Sequence, residues 1–196
     1  IPVVDMFGDN NTGYVVLAYF EGVTLEKYID HNGGRLTWET VRRFFPPIFT
    51  TVSLVHNAGL VHRGICPENI LIGENGDIKL TGFAISDERT ANTEIAPELY
   101  SGYAAPEQYN SSARQGTWTD VYGVSAMLYK ALTGVTPLDA ASRLTDDTLE
   151  TPASLVPEIP ESVSNVIMSG MELDGEKRIQ TITELVTKLF EQPEIG

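Results

Sequence analysis

The sequence predicts an α+β chain, mainly helical, that opens with a short β-hairpin. Three observations carry this. Residues 1 to 20 hold two β-rich runs, IPVVDMF and GYVVLAYF, joined by the turn-forming GDNNT. Apolar residues then recur at the i, i+3, i+4 spacing of a buried helix face in separate stretches: Val41, Phe44, Phe45, Ile48, Val52 and Val55; Val163, Val166, Ile167 and Met171; Ile182, Leu185, Val186 and Leu189. Between them, Gly59 to Phe83 contains two short apolar runs separated by GENGD, where Asn75-Gly76 signals a tight hairpin.

The elements follow in order. Thr24 is placed to cap a short helix through LEKYID, which HNGG stops. Thr37 is placed to cap a longer helix with Pro46 and Pro47 inside it. An interior proline lacks the N–H donor and costs ~3 kcal/mol, so a kink is predicted there. From Ala84 to Thr117 no period survives, and frequent Gly, Pro and polar residues predict a long loop, of a length usually tied to function. Thr119 is read as the cap of DVYGVSAMLYKALTG, with Gly134 at its end and Pro137 just beyond. The last helix opens with a capping box, Thr181 to Glu184.

Composition narrows the function. The 196 residues are 42% apolar, enough to bury a core. The net charge of −14 argues against a surface that tracks nucleic-acid phosphates or anionic lipid, so the partners expected are proteins or small molecules. One cysteine, Cys66, excludes an intrachain disulfide framework and suits a reducing compartment, the cytoplasm. Three scattered histidines have no metal-ligand spacing; His31 is expected at the surface and His56 at a helix end. Apolar stretches such as Val15 to Phe20 are too short for a membrane span. The chain starts without Met inside a strand-like segment, so it is expected to be a piece of a longer polypeptide, which could carry a membrane anchor elsewhere.

Five motifs then occur in one order. VHRGICPENILI resembles the catalytic loop HRDxxPENI of serine/threonine protein kinases, DIKLTGFA the strand leading into DFG, and GYAAPEQY the APE end of the activation segment. TDVYGVSAMLYKALTG resembles the helix that follows, and EKRIQTITEL the closing Arg-containing helix. GYAAPEQY followed by WTDVYG is similar in particular to bacterial enzymes. NTGYVVLAYFEG corresponds to the last hairpin of the small lobe plus the hinge. The resemblance implies a protein kinase-like large lobe over 21–196, with 1–20 as a β-hairpin remnant of the small lobe and the start of the hinge. The family's Gly-rich loop, β3 lysine and αC glutamate all precede this hinge and have no counterpart in the sequence.

By the same resemblance, the catalytic-loop aspartate that accepts the substrate proton is Gly64, the DFG aspartate that holds Mg²⁺ is Gly82, and the DFG glycine is Ala84. Asn69 alone remains of the metal ligands; Cys66 stands where many kinases carry a lysine. Loss of a general base costs ~10²- to 10⁴-fold, and loss of metal stabilisation several kcal/mol more. Structural family positions are retained: His62 and Phe83 in the hydrophobic spine, Arg63 beside them, Asp120 anchoring the loop, and Glu107 facing Arg178. Hinge residues Ala18 to Phe20, gatekeeper Leu17, and Leu71 beneath the base are adenine-site positions, with ATP expected only where a small lobe is supplied and Mg²⁺ not expected. The implied function is a pseudokinase that binds a protein partner in signalling.

The alternative is a phosphoryl- or nucleotidyl-transferring enzyme with a rearranged site built on Asn69, Glu68 or Asp87. A small-metabolite phosphotransferase is disfavoured by GYAAPEQY. Ser86, Thr90, Thr93 and Ser101 read as loop hydroxyls before phosphate acceptors, and Asp146, Asp147 and Glu150 as a solvated acidic face. The open edges of the 1–20 hairpin predict self-association into a homodimer.

Overall fold

The computed structural model describes residues 1–83, 98–110 and 112–190. Strands β1 (Val3–Asp9) and β2 (Thr12–Leu17) pair antiparallel, and Phe7 faces Tyr14 with stacked rings 5.0 Å apart. Their two-residue turn needs positive φ at both positions, met here by Asn10 (50°) and Asn11 (57°). Both strands are exposed along their length, with Val4 at 65% and Met6 at 69%.

A second sheet, in the order β3 (Gly22–Thr24), β4 (Ile70–Gly73), β5 (Ile78–Leu80), is antiparallel throughout. The β4–β5 turn falls at the GENGD signal, with Gly76 at φ 78° and its N–H donated to the Gly73 carbonyl. Gly22 pairs with Gly73, and the Phe20 ring lies where either glycine would carry a Cβ.

Helix α1 (Leu25–His31) is capped by the Thr24 hydroxyl, which accepts from Lys27 N, and ends before Gly33 and Gly34, both left-handed. The long helix expected after Thr37 is two helices, α2 (Trp38–Phe44) and α3 (Pro46–Asn57). The break replaces the predicted interior kink because Pro46 takes the first position of α3, where a missing N–H leaves no bond unmade. Helix α4 (Thr117–Thr133) begins two residues before the predicted cap. Gly116 is the N-cap, and the Thr119 hydroxyl accepts its N–H at 3.1 Å from inside the first turn.

Among the described residues, the body continues with α5 (Ala140–Thr145), α6 (Pro152–Leu155), α7 (Glu161–Gly170) and α8 (Ile182–Phe190). Thr181 caps α8 by accepting from Glu184 N, while the Glu184 carboxylate reaches back to Gln180 N. The core centres on α4, which is buried around its circumference from Val121 and Tyr122 to Leu132 and packs on α2, α6, α7 and α8. Each large aliphatic side chain buried here stabilises the fold by about 1.5–3 kcal/mol. Among the described residues, no helix is long and apolar enough to cross a membrane.

The acidic face is only partly solvated as expected. Asp147 forms a two-bond fork with Arg143, a buried residue that also donates to the Tyr122 hydroxyl and the Met171 carbonyl. Ser86, Asp87, Thr90, Thr93 and Ala84 lie outside the described residues.

Candidate functional site

The loop from Val61 to Asn69 runs between α3 and the β4–β5 hairpin, and Asp120 on the first turn of α4 fixes its course. The Asp120 carboxylate, 1% exposed, accepts His62 N at 2.8 Å and Arg63 N at 2.7 Å. That grip holds Arg63 at φ 66°, a left-handed conformation costly to a side chain with a Cβ. His56 Nε2 lies 2.7 Å from the same carboxylate, so this helix-end residue belongs to the site. Arg63 is held further through its Nε to Gln115 and through its carbonyl, which accepts from Gln108. His56, Gln108 and Gln115 carry no local sequence signal for these roles, since their partners lie 45 to 64 residues away.

His62 is fully buried, and its Nδ1 accepts Gly64 N at 3.2 Å. Its ring centre lies 4.2 Å from that of half-exposed Phe83, so the two spine positions touch. Burial pushes the His62 pKa below its usual value, against the opposing pull of the Asp120 charge.

Asn69 ends the 3₁₀ turn Pro67–Asn69. Its amide donates to the Gly64 carbonyl at 2.7 Å and approaches the Gly82 carbonyl at 3.4 Å, while Thr81 N returns a bond to the Asn69 carbonyl. Gly82 sits at φ 73°, and a Cβ there would overlap the Asn69 amide. Gly64 is buried, and Glu68 faces solvent. Cys66 is fully buried, and burial pushes its thiol up to about 12, which keeps it protonated at neutral pH.

These groups do not fit a magnesium ion. The cation demands several oxygen ligands, whereas among the described residues the side chain between the Gly64 and Gly82 carbonyls is a neutral amide whose nitrogen already faces both. Among the described residues, no three His, Cys, Asp or Glu side chains converge as a metal site.

The Arg178 guanidinium and Glu107 form a buried pair at 2.7 and 3.1 Å. The residues that the resemblance would place around adenine lie along the path from the first ribbon into the second sheet. Leu17 ends β2 and is exposed, Ala18 N–H donates to the Pro2 carbonyl, Phe20 covers Gly22 and Gly73, and Leu71 pairs with Thr24 in the neighbouring strand.

A loop pinned by an aspartate on a central helix, a β-hairpin at its end and an Arg–Glu pair beneath form one arrangement. The family profile of the protein kinase domain matches residues 1–191. The chain belongs to the protein kinase family. A probable serine/threonine-protein kinase of Clostridium perfringens is 30% identical over 96% of this chain and 29% of its own length. Serine/threonine-protein kinase PrkC of Bacillus subtilis is 32% identical over 94% of the chain and 30% of its own length. The chain thus spans about three-tenths of these curated relatives. A solved structure titled PpkA-294 apo form superposes with a TM-score of 0.78 at 27% identity, over 95% of this kinase-family chain and 66% of that structure.

Proposed function

We propose that this kinase-family chain is a pseudokinase module, a catalytically silent member that acts by binding a protein partner in bacterial cytoplasmic signalling. The observation that carries the reading is selective loss. Glycine occupies both carboxylate positions, Gly64 and Gly82, and the Asn69 amide lies against their carbonyls. The scaffold around them is kept, with Asp120 gripping the loop and Arg178 paired with Glu107. General-base loss alone removes ~10²- to 10⁴-fold in rate, so phosphoryl transfer would fall far below the ~1 to 100 s⁻¹ usual for kinases.

The test is transfer of labelled γ-phosphate by the full-length protein to itself and to a basic protein substrate, beside a thermal-unfolding shift with ATP with and without Mg²⁺. The expected outcome is no turnover and no Mg²⁺-dependent shift. ATP held as a structural ligand at ~100 times Kd would add ~2.7 kcal/mol without Mg²⁺. Mg²⁺-dependent turnover that disappears in Asn69→Ala would overturn the reading in favour of an atypical phosphotransferase.

A further inference from the structure

The volume next to Gly82 is filled. A Cβ built on Gly82 falls on the amide of Asn69, touching Oδ1, Cγ and Nδ2 alike. Asn69 can take this position only because residue 82 has no side chain. Its Nδ2 there faces two backbone carbonyls from different parts of the site, Gly64 in the loop and Gly82 just after β5. Two carbonyl oxygens that converge on one point repel unless a donor or a cation stands between them. Here the donor is an amide N–H pair.

We infer that Asn69 is a positioning residue that does the work of a metal ion, clasping the loop to the end of β5, and that it and any side chain at position 82 compete for one volume. This deepens the reading of a silent site, because the site is occupied by the protein itself as well as lacking carboxylates. The clasp stands beside the His62–Phe83 contact and the Asp120 grip on the same loop.

The test is a double-substitution cycle on the full-length protein, read by thermal unfolding. Gly82 sits at φ 73°, so an added side chain is strained in either background. Gly82→Ala should lower the midpoint by several degrees more in the wild-type background than in Asn69→Ala, where the space is vacated. Asn69→Asp is nearly isosteric but replaces the donor by an acceptor, so three oxygens then converge. That variant should be destabilised in EDTA and should recover part of its midpoint with millimolar Mg²⁺ or Mn²⁺, whereas wild type ignores both. If Gly82→Ala alone fails to fold, folding of the double variant is the same positive result. Additive costs, or an Asn69→Asp protein indifferent to divalent cations, overturn the clasp. Because these readouts are midpoints, the clasp can fail while the absence of phosphoryl transfer stands, and the reverse.

Discussion

Arg178 and Glu107 meet in a two-bond fork, with the guanidinium side chain fully buried and the carboxylate at 9% exposure. The remaining donors of Arg178 are used by the carbonyls of Glu172, Trp118 and Leu173, and its guanidinium lies 5.1 Å from the Tyr122 ring centre. Removing one partner strands the other charge in the interior. Arg178→Ala is therefore expected to cost about 3–5 kcal/mol in urea unfolding of the protein. Arg178→Lys keeps the charge but not the fork and should fall between. A cost below 1 kcal/mol for Arg178→Ala would refute the pair's structural role.

Asp120 sets a second test. Its carboxylate accepts two backbone N–H groups and faces His56, and charge-assisted bonds of this kind contribute about 1.5–3 kcal/mol each. Asp120→Asn retains one acceptor oxygen and turns an NH₂ toward a donor, so a loss of about 2–3 kcal/mol is expected. Amide exchange at His62 and Arg63 should accelerate more than at the α4 core. Uniform acceleration would mean that Asp120 does not hold the loop locally.

These two residues also mark what the sequence made legible. Caps at Thr24, Thr37 and Thr181 were readable because a hydroxyl meets an N–H three residues on. Thr119 misled because its hydroxyl serves Gly116 from within the helix and also donates to Glu107, 12 residues back. His56 looked like an ordinary helix end because its partner is 64 residues away. The buried Arg143 fork was hidden in an acidic run that read as solvated. The two glycines could be seen to lack carboxylates, but not that Asn69 fills the volume beside one of them. Local hydrogen bonding is written in short patterns, whereas long-range polar pairing and side-chain volume emerge only from packing.

The first ribbon carries an association test. Val4, Met6 and Val15 are each more than half exposed, Phe7 and Tyr14 are also exposed, and a two-stranded ribbon presents open edges. A second copy adding strand to strand is the proposed occupant. Sedimentation of a chain of these 196 residues should show a concentration-dependent dimer that Met6→Lys with Val15→Lys abolishes. A clean monomer at high concentration defeats the proposal.

His62 gives a pH prediction with a definite sign. Burial lowers its pKa from 6.5 in the folded protein, so below pH 6.5 the unfolded chain binds a proton that the native state refuses. Stability is then fully present above pH 6.5, falls as pH drops through that value, and levels off below the folded pKa. Asp139, Asp147 and Asp174 are shifted in the same direction, so they too stabilise less as pH falls. Hydrogen bonds from Ser142, Arg143 and Glu176 respectively hold them below 3.8, so their contributions fade only in the more acidic range. The two windows are separable. Urea unfolding between pH 7 and pH 5 should show decreasing stability in wild type and a flatter profile in His62→Phe, which keeps a ring against Phe83 but cannot titrate. Equal slopes in the two proteins would show that His62 is not the group responsible.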